Sequence, residues 1–109
     1  MANVVLYTSY KLKEGMSVEE FLVAKSNLTE QQVSKKKGWL SSTYLRDGDT
    51  WADYGVWETM DDYKAFILSS QKPTELAKTM YAFIDFGTLK SQVYAVERHI
   101  TPTNVSAQE

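Results

Sequence analysis

The sequence has no cysteine and one histidine, His99. Without Cys there are no disulfides, thiolate nucleophiles, iron–sulfur clusters or Cys-based zinc sites. One His cannot form an all-His zinc or copper site within a chain. We therefore expect no metal and no other cofactor. His99 lies at the end of the last predicted strand, and we expect it to be a partly solvated surface residue.

An excess of positive charge and long apolar runs are also absent. Lys and Arg number 12 against 14 Asp and Glu, which gives a formal net charge of −2. Without a basic stripe the sequence argues against nucleic-acid binding. No apolar run approaches the ~20 residues that a membrane span needs, and no charged segment precedes the apolar N-terminal stretch, as it would in a signal peptide. We expect neither nucleic acid nor membrane as a partner, and a cytoplasmic location.

Aromatic residues are abundant: 13% of the 109 residues are Phe, Trp or Tyr. This length fits one domain with a real core, which we place over residues 1–100, with a polar C-terminal tail over 101–109. Segments rich in aromatic and β-branched residues are typical of strands. They predict four of them, over residues 3–12, 39–46, 50–58 and 90–100.

Helix signals lie between these strands. Ser17 and Thr59 are each followed three residues later by an acidic residue, as in a capping box. The first helix should end near the three lysines at 35–37, and Pro73 fits the first turn of a third segment over 74–84. The resulting order, βαβ–β(αα)β, predicts an α+β fold: a ferredoxin-like split βαβ sandwich with an antiparallel sheet.

Strands 3–12, 50–58 and 90–100 have apolar residues on both faces. In a sandwich of this kind the helices cover one face of the sheet, and the other face is solvated or covered by a partner. An apolar pattern on both faces is not typical of a solvated face. The sequence therefore predicts a homodimer in which two sheets pack face to face.

Two stretches carry a family resemblance: Gly38 to Arg46 (GWLSSTYLR) and Tyr54 to Phe66 (YGVWETMDDYKAF). Together they resemble the antibiotic biosynthesis monooxygenase family, most sharply at the junction of Trp57, Glu58 and Thr59. The resemblance spans residues 3–100 and implies a dimeric α+β barrel. Its implication for chemistry is broader, because the group includes cofactor-free quinone-forming oxygenases, haem degraders, polyketide cyclases and simple binding proteins.

The haem-degrading branch of this group does not fit the sequence. Its members use an Asn on the first strand, a Trp on the helix after the hairpin and a His further along as the iron ligand. The first two positions fall on Thr8 and Phe66, and no His lies between residues 59 and 98. We therefore expect no haem binding.

A pocket between sheet and helices is the candidate site. Thr8 and Tyr10 share a strand face, and Tyr63 and Phe66 lie three apart on one helix. Tyr81 lies on the apolar side of the third segment. We predict that these five residues line a pocket for a small aromatic ligand. Core packing is the alternative for the three helical residues, because filling the core is the commonest role of an aromatic side chain.

Three functions stay open for such a pocket. The first is a cofactor-independent monooxygenase for a small aromatic or polyketide-like substrate. The second is a polyketide cyclase or isomerase that uses a Tyr or His as the acid or base. The third is a non-catalytic binding dimer. Oxygen consumption with quinols would select the first, and rearrangement without oxygen the second.

Overall fold

A computed structural model describes residues 3–103. This part of the chain forms a four-stranded antiparallel sheet in the order β2-β3-β1-β4, with helices between the strands. The predicted ferredoxin-like α+β fold is confirmed. The elements are β1 (Val4–Leu12), α1 (Val18–Gln31), β2 (Trp39–Asp47), β3 (Thr50–Trp57), α2 (Met60–Ser69), α3 (Glu75–Tyr81) and β4 (Ile84–Ala95).

The predicted helix starts are confirmed in atomic detail. Ser17 Oγ accepts the backbone N–H of Glu20 at 3.2 Å, and Thr59 Oγ1 accepts that of Asp62 at 3.1 Å. Each side chain thereby satisfies an N–H group that the first helical turn leaves without a partner. The residues at which α1 and α2 begin are therefore encoded locally.

Four predicted boundaries are wrong, and one of them is the end of the third segment, which lies at Tyr81 instead of residue 84. The α-helical part of α1 ends at Gln31, because Gln32 leaves helical geometry and a short 3-10 turn over Val33–Lys35 follows. Pro73 precedes the cap residue of α3, Thr74, and so lies outside the first turn. The last strand runs over Ile84–Ala95 instead of 90–100.

The early start of β4 has a structural cause. The sequence Asp85-Phe86-Gly87 is typical of a turn, yet these residues lie within β4, where the pairing with β1 is irregular. Asp85 Oδ1 accepts the Gly87 N–H at 3.1 Å, and the pairing with β1 shifts register between Ser9 and Lys11. A strand bulge and a turn use the same residue types, so the local sequence does not distinguish them.

Successive side chains of each strand point to opposite sides, so the sheet has two distinct faces. The face toward the helices carries Tyr10, which packs with Phe21 of α1 and with Trp51 of β3 in the core. The Tyr10 and Phe21 rings meet edge to face at 6.1 Å, and the Phe21 and Trp51 rings at 5.1 Å. Such contacts add to the stabilisation from burying these large side chains.

The opposite face, here called the outer face, carries the other residues of each strand. Tyr7 lies directly across from Tyr54, and Tyr94 lies across from Val5. The three tyrosines are 39%, 40% and 54% exposed. The outer face therefore presents aromatic surface that no helix within residues 3–103 covers. Within the same residues, no helix has both the length and the apolar character that a membrane crossing requires.

Candidate functional site

A cavity of about 290 Å³ lies between the sheet and the helices. Its volume is at the lower end of the few hundred Å³ typical of small-molecule sites. Residues from all four strands and all three helices contribute to its walls. The aromatic part includes Trp57, Phe66, Tyr81 and Phe86, and the polar part includes Thr8, Tyr10, Lys25, Tyr44, Asp53 and Ser91.

Four of the five predicted pocket residues line this cavity: Thr8, Tyr10, Phe66 and Tyr81. Tyr63 is not among the lining residues, because it lies one helical turn before Phe66, beyond the part of α2 that closes the cavity. Strand alternation and helical spacing therefore identified most of the residues that lie at the cavity. That these residues bind a substrate stays a prediction.

The aromatic part of the cavity is built around one ring pair. Trp57 of β3 is 2% exposed, and Phe66 of α2 stacks on it with ring centroids 4.6 Å apart and an interplanar angle of 27°. Tyr81 of α3 meets Phe86 of β4 edge to face at 5.8 Å. Flat walls of this kind favour a planar ligand that can stack against them.

A charged cluster lies in the polar part of the cavity. The Lys25 ammonium donates to Asp53 Oδ2 at 2.5 Å, and the Tyr10 hydroxyl donates to Asp53 Oδ1 at 2.9 Å. Beside it, the hydroxyls of Tyr44 and Thr29 are 2.5 Å apart. Three strands and one helix thus bring an ion pair and two phenols to one side of the cavity.

The two phenols of this cluster are neutral hydrogen-bonding groups at ordinary pH. Burial, followed by the nearby Asp53 carboxylate, raises the pKa of Tyr10 far above its usual range. Burial also raises the pKa of Tyr44, although the hydrogen bond to Thr29 opposes that rise. A phenol with a raised pKa is a poor proton acceptor and a stable donor. Tyr10 and Tyr44 are therefore suited to orienting groups rather than to removing protons.

Two more polar pairs border the cavity. Thr8 Oγ1 and Ser91 Oγ are 3.0 Å apart on neighbouring strands, and Trp39 Nε1 donates to Ser42 Oγ at 2.9 Å. Each hydroxyl can rotate and accept or donate a further bond. These pairs can therefore hydrogen-bond a polar substituent on a bound ring.

The sequence interpretation missed Lys25 and Asp53. Both positions carried a signal: Lys25 lies four residues after Phe21, on the stripe that α1 buries, and Asp53 shares its strand face with Trp51 and Trp57. A charge on an apolar stripe is rare unless it is paired. Each residue alone indicates an anomaly, but only the fold brings the two together.

A second, more open depression of about 480 Å³ has a different lining. Charged residues at its rim, including Lys11, Arg46 and Asp49, are exposed. Lys11 and Asp49 form an ion pair at 3.6 Å, with side chains 49% and 81% exposed. Such solvated pairs contribute little and are typical of ordinary surface. The cavity around Lys25 is therefore the candidate site.

Comparison with solved structures finds the same fold in two small oxygenases. SnoaB, a cofactor-independent oxygenase from Streptomyces nogalater, superposes with a TM-score of 0.71 over 94% of this chain and 99% of its own, at 16% identity. The monooxygenase from the gene ActVA-Orf6 of Streptomyces coelicolor, in complex with the ligand nanaomycin D, gives 0.66 at 17% identity, with 93% of each chain covered.

The chain has the fold of these oxygenases. The predicted resemblance to antibiotic biosynthesis monooxygenase-like proteins is thereby confirmed at the level of the fold. A dimeric protein of unknown function with a ferredoxin-like fold, from Bacteroides fragilis, matches at 20% identity with a TM-score of 0.59, over 86% of this chain and 96% of its own. No protein-family model and no curated relative matches the sequence.

Proposed function

We propose that the protein is a cofactor-independent monooxygenase for a small aromatic or polyketide-like substrate bound in the cavity between sheet and helices. The observation that carries this proposal is the cavity itself: about 290 Å³, walled by aromatic rings and supplied with a cluster of hydrogen-bonding groups. Its fold is also that of a cofactor-independent oxygenase, SnoaB.

In the proposed reaction the substrate itself supplies the electrons that reduce O2. An electron-rich ring loses a proton, and the resulting anion reduces O2. One oxygen atom enters the substrate and the other leaves as water, with the two hydrogens and two electrons of that water coming from the substrate. The residues of the cavity bind the ring, orient it and exclude bulk water from the anion.

Oxygen uptake tests the proposal directly. Purified protein, treated with a chelator and given no reductant, should consume O2 with small hydroquinones or hydroxylated polycyclic rings, one O2 for each oxygen atom that enters the product and each water released. A Phe66→Ala variant should bind the substrate more weakly. The substitution removes one ring of the Trp57–Phe66 stack, against which the substrate ring is proposed to pack. Rearrangement of the substrate without O2 uptake would favour a cyclase or isomerase, and binding without any product would favour a non-catalytic binding protein.

We also propose that the working form is a homodimer joined through the outer face. The support is the aromatic surface of Tyr7, Tyr54 and Tyr94 on a face that helices within residues 3–103 leave uncovered. A protein of similar fold, from Bacteroides fragilis, is dimeric. The predicted cytoplasmic location stays a prediction.

A further inference from the structure

Gly55 of β3 leaves a gap in the sheet side of the cavity, which it lines. In the sheet it lies between its direct partners, Leu6 of β1 and Ser42 of β2. A Cβ at this position would point to the same side as Leu6 and Tyr10, toward the helices. Its nearest neighbours there would be Trp57 Nε1 at 3.8 Å and the Leu6 backbone oxygen at 4.0 Å. A small group can therefore occupy the space in front of Gly55 without moving the protein.

The indole N–H of Trp57 borders this gap. Trp57 is 2% exposed and lines the cavity, and its Nε1 is the side-chain atom nearest to the Cβ position of Gly55. Among residues 3–103 the Trp57 N–H has no hydrogen-bond acceptor, and no fully enclosed side-chain donor lacks a partner. Nε1 must therefore reach accessible space, and the space that it borders is the cavity. A ligand oxygen in front of Gly55 can approach Nε1 to the usual hydrogen-bond distance of about 2.9 Å.

Ser42 supplies a second donor at the same gap. It lies directly across from Gly55 in the β2–β3 ladder and lines the cavity. Side chains at such opposed positions are about 4.5–5.5 Å apart at Cβ, which is within reach of a shared ligand atom. Ser42 Oγ accepts the Trp39 indole N–H at 2.9 Å. A hydroxyl that accepts one bond still has its own proton to donate, so two uncharged donors, from Trp57 and Ser42, flank a position without a side chain.

Two donors around one small gap match the two lone pairs of a carbonyl oxygen. A methylene group in the same place would displace water from both donors and leave them unpaired, which is unfavourable in a buried site. We infer that the gap at Gly55 binds a carbonyl oxygen of the ligand, with Trp57 Nε1 and Ser42 Oγ as its donors, so that the cavity selects planar rings that carry a ketone or quinone oxygen. This inference rests on the proposed small-molecule cavity and narrows its substrate class.

A matched pair of small bicyclic ligands tests the inference without any turnover. The probes are 1-indanone, which carries a ring carbonyl, and indane, in which a methylene group replaces that carbonyl. The sequence has three tryptophans, so an isotope-labelled sample gives three indole N–H signals by NMR. The Trp57 signal should move downfield and exchange more slowly with solvent when 1-indanone binds, but not when indane binds. The Trp51 signal should stay unchanged, because Trp51 does not line the cavity.

Substitutions at the gap are read through the ratio of the two Kd values, because the probes differ in hydration. Gly55→Ala should fold normally, since its methyl group makes ordinary contacts, yet it covers the donors and should lower the preference for 1-indanone at least fivefold. Ser42→Ala should lower it about fivefold, as expected for one lost hydrogen bond. Ser41→Ala, at the exposed neighbouring position outside the cavity lining, is the matched control and should change nothing. Trp57→Phe assigns the indole signal by its loss, and the Gly55 and Ser42 variants still test the ratio if that protein does not fold.

A cavity that binds rings through apolar contact alone predicts a different pattern. In that case both probes move the Trp57 signal alike, and the ratio of their Kd values is the same in the wild type, Gly55→Ala and Ser42→Ala. This result would overturn the inference while leaving the cavity as a small-molecule site. Failure of the wild-type protein to bind either probe contradicts the proposed cavity function and, with it, the carbonyl site at Gly55.

Discussion

Tyr10 illustrates, at the scale of one residue, how burial fixes the chemistry of a side chain. Its ring is 2% exposed in the core, and its hydroxyl reaches the Asp53 carboxylate at 2.9 Å. Ionising this phenol would place a second negative charge beside the first, with little water to solvate it. The hydroxyl is therefore a permanent donor, and it links the hydrophobic core to the charged cluster of the cavity.

This environment predicts a pH dependence of stability. Burial raises the pKa of Tyr10 in the folded state above its unfolded value of about 10. The stabilising contribution is complete below that unfolded pKa and is lost as the pH rises above it, since only the unfolded chain releases the proton. Above pH ~10 the free energy of unfolding should fall by about 1.4 kcal/mol per pH unit for this group, and Tyr10→Phe should remove that share of the slope.

Denaturant titrations between pH 7 and 11 measure both slopes. Tyr44, Tyr63 and Tyr81 have pKa values shifted in the same direction, so Tyr10→Phe should flatten the alkaline decline without abolishing it. Parallel curves for the two proteins above pH 10 would show that Tyr10 ionises as freely in the folded state as in the unfolded chain.

The Lys25–Asp53 pair predicts unequal costs for removing its two members. Asp53→Asn leaves the more buried charge without a carboxylate, whereas Lys25→Met leaves Asp53 with Tyr10 and partial access to solvent. We expect a loss of about 3 kcal/mol for the first and about 1–2 kcal/mol for the second. Lys78→Met, which breaks an exposed pair with Glu75, should cost less than ~0.5 kcal/mol. A larger loss for Lys25→Met than for Asp53→Asn would contradict this order.

At the residue scale, the sequence predicted single positions better than pairs. Alternation and helical spacing placed Thr8, Tyr10 and Phe66 at the cavity, because both periodicities are local properties of the backbone. The partners Lys25 and Asp53 are 28 residues apart in sequence and meet only when α1 packs on β3. No local pattern encodes that encounter, so the charged cluster became visible only in the folded chain.

At the element scale, short-range signals fixed where most helices and strands begin. The Ser17 and Thr59 caps predicted two helix starts, since a capping hydroxyl acts within three residues of the chain. The first residue of β4, Ile84, was instead assigned to the preceding helix because it continues the apolar spacing of α3. Pairing with Leu12 of β1 overrides that spacing. Such tertiary pairing cannot be predicted from the segment itself.

Gly38, where the chain enters β2, provides an element-scale prediction. Its φ of +84° lies in the left-handed region, and a Cβ at this position would overlap the Asp62 side chain in the first turn of α2. Gly38→Ala therefore adds a steric clash to backbone strain, and we expect a loss of about 2–3 kcal/mol in the free energy of unfolding. Chemical denaturation of the purified variant measures this loss.

Gly48 is the matched control in the β2–β3 turn. Its φ is +63°, also left-handed, but no neighbouring atom lies within 4 Å of the place that an alanine methyl group would occupy. Gly48→Ala should therefore show the backbone strain alone, about 1–2 kcal/mol. Equal losses for the two substitutions would mean that the contact between the β2 entry and α2 relaxes at no cost.

At the scale of the whole molecule, the aromatic residues serve in three places. Tyr10, Phe21 and Trp51 fill the core, while Trp57 and Phe66 form a wall of the cavity. Tyr7, Tyr54 and Tyr94 lie on the outer face and keep much of their surface accessible. Composition alone revealed the aromatic excess but not this division, because the division depends on which face of each strand the helices cover.

The outer face predicts a homodimer of twice the 12.4 kDa chain mass. Two sheets packed through this face should bury at least ~2,000 Å² in total, as obligate dimers do. A charge at its centre should split the dimer, because a carboxylate loses its hydration there without gaining a partner. Light scattering at micromolar concentration should give a dimer for the wild type and a monomer for Tyr7→Glu. Leu68→Glu, which adds the same charge at a 70% exposed position on α2, should stay dimeric. A monomeric wild type, or a Tyr7→Glu variant that remains dimeric, would rule out association through this face.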